Sequence, residues 1–282
     1  MPFTKLSSVI DLPRFGSNGP HRYTDTNEFL SPGVLLAYKA RAGHPTMAMK
    51  TTIQNAAVQA RNIVRIANDE MAKVVIMRRN ESATFTATME RHFNLKANGD
   101  TAGGWLEDNV IDKPFKLGAI FKKDRRWVLE QIRQKMLSLS FHLNTGVYLI
   151  EIDAAGRNVD GGQLVPAGTA ETDTTRGYVY RWGAGAPICG FRNGEIHIAF
   201  EKFPTHSLNS GARIIIHEAA HKYLDVKDTY YAWHPNYPPS LRECLEDNAD
   251  SFAWAAVSLA TGAVRMASDV SPDGQNCPGA RL

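Results

Sequence analysis

The chain has 282 residues, of which 43% are hydrophobic, and a formal net charge of +3 at pH 7; this is enough to bury the core of one enzyme-sized domain. The charge is small, the lysines and arginines are scattered, and no zinc-finger or helix-turn-helix pattern occurs, so nothing indicates nucleic-acid binding. No apolar stretch of about 18 residues is present, so no membrane span is predicted.

The beginning of the chain shows no sustained hydrophobic period. Residues 1–46 are rich in Pro, Gly and polar turn formers and are predicted to form a loosely structured extension. Residues 1–20 also lack the charged-then-apolar layout of a cleaved signal peptide. We therefore expect the protein to stay in the cytoplasm or to be exported by a route that does not depend on a signal.

Three amphipathic helices are predicted next. Apolar residues recur at helical spacing from Ile53 to Val75, a shorter stretch carries Phe85, Met89 and Phe93, and a third runs from about Lys123 to Phe141.

The hydrophobic period changes after the third helix. Val147 to Ile152, Tyr178 to Trp182 and Ile196 to Phe200 are predicted to be strands joined by Gly-rich turns. The edge of the last strand could pair with an extended peptide backbone. The predicted fold class is therefore α+β, predominantly helical with a small, mostly antiparallel sheet. It would form one domain over residues 47–265, followed by an irregular tail over residues 266–282.

The motif His217-Glu218-Ala219-Ala220-His221 follows the last strand. Residues four apart on a helix lie on one face, so both imidazoles can bind one ion. Zinc is the expected ion, because it accepts neutral imidazole and its catalytic sites keep three protein ligands and one open position. Glu218 could accept a proton from a water molecule on that ion.

The residues before the motif favour a metal site. Ile214, Ile215 and Ile216 predict that this helix, with Ser210 as its N-cap, begins in buried surroundings. A buried imidazole without a ligand or hydrogen bond costs roughly 1–3 kcal/mol.

The third ligand has more than one candidate. A metzincin pattern is excluded, because Leu224 and Lys227 stand where it requires Gly and His. A thermolysin-like pattern would use Glu246 as the ligand and Asp250 to orient a histidine, both on a helix predicted from Leu241 to Leu259. An aspartate just beyond the motif helix, Asp228, is the other candidate.

Two segments resemble one family of metallopeptidases. The stretch from Asp225 to Ala232 keeps Asp228 and Tyr231 of the pattern Gly-Thr-x-Asp-x-x-Tyr-Gly, without its glycines and threonine. The segment Asn-Ala-Asp-Ser-Phe at residues 248–252 is similar to the aspzincin segment that follows the metal site. The chain thus resembles the aspzincins, the deuterolysin and peptidyl-Lys metalloendopeptidase group. The resemblance covers about residues 46–262, and its specific motifs lie in roughly the last 50 of these.

The resemblance implies a role for each matching residue. His217, His221 and Asp228 would bind one Zn²⁺ ion, and Glu218 would be the general base. Tyr231 would donate a hydrogen bond to the oxyanion. Asp250 would belong to the pocket that receives the substrate side chain after the scissile bond.

The same resemblance suggests a preference for lysine after the scissile bond. Lysine-selective relatives place a second acidic residue where this chain has Ala253, which weakens the electrostatic attraction for a basic side chain. The neighbouring loop from Tyr230 to Tyr237 contains His234, a further residue that could contact a substrate.

Cysteine usage separates the chain from the secreted fungal members. Cys189, Cys244 and Cys277 are an odd number without CxxC spacing, which allows at most one disulfide and favours a bacterial-type member.

The expected activity is zinc-dependent hydrolysis of peptide bonds in a protein or peptide substrate. A narrower hypothesis, motivated by the absent signal and the N-terminal extension, is a toxin or effector protease delivered into another cell. The competing hypothesis is an inactive binding module that keeps the zincin fold. No inhibitor or immunity protein can be named from the sequence.

Overall fold

The computed structural model describes residues 26–31, 33–38, 42–96, 125–151, 156–158, 164–166, 177–178 and 195–266. Helices predominate in this part of the chain, and a five-stranded sheet accompanies them, which confirms the α+β class. None of the helices described combines the length and the apolar character needed to cross a bilayer.

The elements follow one another in mixed order. The strands are β1 (Thr26–Ser31), β2 (Val34–Tyr38), β3 (Val147–Glu151), β4 (Gly156–Asn158), β5 (Leu164–Pro166), β6 (Gly177–Tyr178) and β7 (Glu195–Ile198). The helices are α1 (Met47–Val75), α2 (Ala83–Phe93), α3 (Arg125–Thr145), α4 (Leu208–Leu224), α5 (Leu241–Glu246) and α6 (Ala249–Thr261), with a 3-10 helix over Phe200–Thr205.

The main sheet has the strand order β1-β2-β3-β7-β6. Its central strands β2, β3 and β7 are parallel, and only the outer strands β1 and β6 pair antiparallel. The sheet is therefore mixed, and the expected mostly antiparallel sheet is wrong. Long connections, which parallel neighbours require, separate the central strands along the chain.

The expectation that β7 has a free edge for an extended peptide backbone is also wrong for part of the strand. This strand pairs with β3 on one side, and its residues His197 and Ile198 pair with β6 on the other. Residues 152 and 179–182, where the predicted strands continue, lie outside the described residues.

The first strands correct the interpretation of the N-terminal region. Val34–Tyr38 forms β2, which is buried along its whole length between β1 and β3. Five consecutive apolar residues suit a strand that is covered on both faces, where no alternation is required. The expectation of a loosely structured extension is therefore wrong for β1 and β2. Residues 1–25 and the predicted irregular tail after residue 266 lie outside the described part.

The three predicted helices are confirmed as α1, α2 and α3. The hydroxyl of Thr46 caps α1 by accepting from the backbone N–H of Met49, and Ser82 caps α2 in the same way through Phe85. Such caps satisfy N–H groups that have no partner within the helix.

Helix α4 lies within the helical layer, packed against α1, α3 and α6. It begins one turn earlier than predicted, because Ser207 rather than Ser210 is the N-cap. Its approach to α1 is close: a Cβ atom on Gly211 would lie 3.1 Å from the Cβ of Ala56. Every residue from 210 to 220 is buried, and His221, the last residue of the His-Glu-Ala-Ala-His motif, is partly buried.

The helix predicted from Leu241 to Leu259 is broken into α5 and α6. At the break, Asn248 is extended and forms an antiparallel bridge with Asp228. The interruption thus attaches the segment beyond α4 to the start of α6.

Candidate metal centre

Three side chains from α4 and the following loop converge on one point. The Nε2 atoms of His217 and His221 lie 3.1 Å apart. The carboxylate of Asp228 lies beside both, with Oδ1 3.3 Å from Nε2 of His217 and Oδ2 3.1 Å from Nε2 of His221. In the described part of the chain, these residues form the only group of three His, Cys, Asp or Glu that could hold a metal ion.

The other nitrogen of each imidazole already has a partner. Nδ1 of His217 donates to Oδ1 of Asp250, and Nδ1 of His221 donates to the backbone carbonyl of Val226, both at 2.7 Å. These hydrogen bonds fix the tautomer that leaves the Nε2 lone pairs directed at the common point. Two neutral imidazoles and one carboxylate are a suitable donor set for a divalent cation.

The separations between the donor atoms fit a small ion. Ligands that surround a tetrahedral ion at about 2.0–2.1 Å lie about 3.3 Å from one another. The observed separations of 3.1 to 3.3 Å among the three side chains are close to that value.

The backbone after α4 brings Asp228 back to the helix. Asp225 ends the helix in the left-handed region with a φ of 55°, which reverses the chain. The segment then pairs with the start of α6: the N–H of Thr229 donates to the carbonyl of Asp247, and the N–H of Ala249 donates to that of Lys227. Asp228 is therefore positioned by main-chain hydrogen bonds on both sides.

Asn248 adds a side-chain support to this pairing. Its Oδ1 accepts from the backbone N–H of Tyr230 at 3.2 Å, and its amide donates to the hydroxyl of Ser251 at 2.9 Å. This residue belongs to the segment singled out in the sequence, but the sequence alone did not indicate that it fixes the loop.

The carboxylates around His217 favour a cation at the point where the three side chains converge. Burial lowers the pKa of His217, but Asp228 and Asp250 outweigh it and raise that pKa well above its usual range. Burial raises the pKa of Asp228, yet the two histidines hold it well below its usual range. The carboxylates thus draw positive charge into a buried site, and either protons or a metal ion can supply it.

Glu218 lies next to the first imidazole along α4. Its side chain is buried, and its Oε2 atom has no hydrogen-bond partner among the described residues. Burial raises the pKa of this carboxyl, although the neighbouring histidines oppose the shift. A buried carboxylate with one oxygen to spare can accept a proton from a water molecule beside it.

Tyr231 contacts the centre through its ring and its hydroxyl. The hydroxyl donates to Oδ2 of Asp228 at 2.9 Å, and the ring is stacked on that of His217 with 5.9 Å between centroids. Burial raises the pKa of this phenol far above its usual range, and Asp228 adds to the effect. The hydroxyl therefore stays protonated and acts as a donor.

The surroundings of Asp250 differ from those that its implied role requires. It is fully buried; its Oδ1 accepts from His217 and from Nη1 of Arg213, and its Oδ2 accepts from the backbone N–H of Ala232 at 2.8 Å. Protein donors engage both oxygens of this buried carboxylate, which argues against the predicted contact with a substrate side chain. Its hydrogen bond with His217 is instead the one that the thermolysin-like scheme expects of it.

The cluster that could hold a metal ion nevertheless contains the third residue of the other scheme. Asp228 takes the position beside both imidazoles. The alternative third ligand, Glu246, ends α5, and its side chain lies outside the described residues. Residue Ala253, the expected weak point of a lysine pocket, is completely buried in α6.

The remaining candidates lie around this centre. His234 is exposed and stacked on Tyr230, with 4.6 Å between ring centroids, so a substrate contact through it stays a prediction. Within the described part of the chain Cys244 has no disulfide partner, and burial raises the pKa of its thiol to about 12. Cys189 and Cys277 lie outside the described residues.

Arg213 was not among the residues that the sequence motifs indicated. It stands four residues before His217, so it shares the buried face of α4 with the metal ligands. A charged residue on the apolar side of that helix was the signal that could have identified it.

Comparisons of the chain with protein-family models, with curated proteins and with solved structures found no match. The chemistry of the centre is therefore inferred from its own donor atoms, which could hold a metal ion, with the carboxyl of Glu218 next to them along α4.

Proposed function

We propose that the protein is a zinc-dependent endopeptidase with a zincin-like fold, acting on protein or peptide substrates. One observation carries the proposal: Nε2 of His217, Nε2 of His221 and the Asp228 carboxylate converge, while both Nδ1 atoms are engaged elsewhere. The aspzincin-like motifs of the sequence support the same ligand set.

The donor set favours zinc over harder ions. Magnesium and calcium prefer sites made of oxygen ligands, whereas two imidazoles and one carboxylate are typical of catalytic zinc. A bound zinc ion would lower the pKa of its water to about 7 and polarise the carbonyl group to be attacked.

The residues of the chain would carry the proton and stabilise the charge. Glu218 would accept a proton from the attacking water and return it to the leaving amine. Its Oε2 atom, to which no described residue donates a hydrogen bond, supports this role. The protonated hydroxyl of Tyr231 would donate to the negative charge that develops on the carbonyl oxygen. Asp250 and the carbonyl of Val226 would hold the imidazoles in the ligating orientation.

The preference for lysine is not part of the proposal. It rested on a free carboxylate at Asp250, and the donors of His217, Arg213 and Ala232 use that group.

Metal content and hydrolysis test the proposal together. Protein purified with zinc should contain about one ion per chain and should cleave casein, and a chelator should abolish the cleavage. The variant Glu218→Gln should keep the ion and lose the activity. Glu90→Gln, at an exposed position of α2, is the matched control and should retain both.

The second candidate is a binding module that uses the same fold without catalysis. Zinc at full occupancy with no cleavage of casein or of a peptide library, in the wild-type chain, would favour it. Absence of stoichiometric zinc binding would contradict both candidates.

A further inference from the structure

Arg213 lies behind the metal centre on the same face of α4 as His217. It is buried, and its Nη1 atom lies 3.3 Å from Oδ1 of Asp250. A guanidinium ion in such surroundings needs a carboxylate partner, because an isolated buried charge is costly.

The guanidinium of Arg213 also lies over the ring of Trp254. The Cζ atom of Arg213 lies 4.9 Å from the centroid of the Trp254 ring, which is fully buried. Trp254 and Asp250 are four residues apart on α6, so one face of this helix presents both to Arg213. The planar guanidinium is suited to this combination, since it can stack on an aromatic ring while it donates to a carboxylate.

Asp250 connects two parts of the centre. Its Oδ1 accepts from the metal ligand His217, and its Oδ2 accepts from the N–H of Ala232, the residue after Tyr231. A shift of this one carboxylate would move the ring of the ligand and the backbone of the tyrosine loop together.

We propose that Arg213 is a positioning residue of the metal centre. Its guanidinium, stacked on Trp254, holds the Asp250 carboxylate where it can accept from both His217 and Ala232. This inference rests on the proposed metal site and adds a residue that contacts neither the ion nor the substrate. Without the guanidinium, Asp250 would keep two of its three protein donors and would be free to turn away from the imidazole.

Metal affinity tests the proposal without reference to catalysis. The variant Arg213→Met keeps the volume of the side chain and removes its donors, and Arg213→Lys keeps the charge but loses the planar group. The zinc Kd of each folded variant is measured at one pH by competition with a chelating dye. We expect about a tenfold or larger weakening for Arg213→Met and a smaller one for Arg213→Lys. Arg65→Met, on the exposed side of α1, should bind zinc as the wild type does.

A double-mutant cycle separates positioning from general loss of stability. If Arg213 acts through Asp250, the variant that combines Arg213→Met with Asp250→Asn should bind zinc no more weakly than Asp250→Asn alone. Additive losses would overturn the proposal, and so would a zinc Kd of folded Arg213→Met within twofold of that of the wild type. Circular dichroism establishes which variants are folded. If Arg213→Met does not fold, Arg213→Lys replaces it in the cycle. A wild-type chain that binds no zinc would refute the proposed function itself, which keeps the two failures distinct.

Discussion

The carboxylate of Asp250 accepts a hydrogen bond from Nδ1 of His217 at 2.7 Å, although 33 positions separate the two residues in the sequence. The bond joins α6 to the imidazole that would bind the ion. Asp250, which the resemblance placed in a substrate pocket, would therefore orient a histidine that binds the ion.

Replacing that carboxylate tests its role. Asp250→Asn can donate to His217 where Asp250 accepts, which would favour the tautomer that carries the proton on Nε2. We expect zinc affinity to fall about 10-fold to 100-fold, as found when such partners of a ligating histidine are changed. The measurement is the zinc Kd by dye competition. Asp247→Asn, a partly exposed carboxylate in the neighbouring loop, is the matched control and should keep the wild-type Kd.

The third ligand is decided by two alanine variants. Asp228→Ala removes the only carboxylate that contacts both Nε2 atoms among the described side chains, so zinc should no longer copurify and activity should be lost. Glu246→Ala should retain about one zinc ion per chain. Elemental mass spectrometry measures the zinc content of both variants. Zinc retained in Asp228→Ala and lost in Glu246→Ala would establish the thermolysin-like ligand set instead.

The hydroxyl of Tyr231 is expected to act on the chemical step. Tyr231→Phe keeps the ring stacked on His217 and removes the donor, so kcat should fall about 100-fold or more, as for loss of one oxyanion donor. Zinc content and KM should change little. Steady-state kinetics on a peptide substrate measures the effect, with Tyr230→Phe as the control from the same loop. Equal kinetics in both variants would remove Tyr231 from the mechanism.

Cleavage specificity should show no preference for lysine. The Asp250 carboxylate is completely buried and engaged by Arg213, so it offers a basic substrate side chain no partner. Cut sites mapped on denatured proteins by mass spectrometry should show lysine after the scissile bond no more often than its abundance. Strong enrichment of lysine there would mean that another acidic group supplies the pocket.

The buried histidine His92 predicts how stability depends on pH. Its Nδ1 pairs with the hydroxyl of Tyr237 at 2.8 Å and its Nε2 with that of Ser258 at 3.1 Å. Burial, with a smaller effect of Arg91, lowers the pKa of His92 to about 3. In the unfolded chain its pKa is near 6.5, so between about pH 3 and pH 6.5 the unfolded state binds about one more proton than the folded state.

The stabilising contribution of neutral His92 is therefore complete above about pH 6.5 and is lost as the pH falls toward 3. The free energy of unfolding falls by about 1.4 kcal/mol per pH unit below pH 6.5, which gives a loss of about 2 kcal/mol between pH 7 and pH 5. The variant His92→Gln lacks this titration, so its free energy of unfolding should fall by about 2 kcal/mol less over that interval. Urea unfolding at both pH values measures the difference. Identical pH dependence in the two proteins would contradict a neutral, buried His92.

Local patterns were sufficient for the helices and for most of the centre. The spacing of apolar residues predicted α1, α2 and α3, because a helix that packs on a core repeats its buried positions every three to four residues. The spacing of His217 and His221 placed both imidazoles on one face for the same reason. The hydrophobic period could not reveal the parallel pairing of β2, β3 and β7, since register and direction depend on partners far away in the chain.

The sequence by itself determined which side chains are present and which of them share a helical face, so the spacing of the motif was enough to group the two histidines with Glu218. Only the tertiary structure decided that Asn248 breaks the last helix to pair with Asp228, and that Asp250 lies behind His217 rather than toward a substrate. The physical reason is that the hydrogen-bond donors around a buried carboxylate determine what it can bind. Those donors, from Arg213, His217 and Ala232, come from two separate segments that meet only when α4 and α6 pack together.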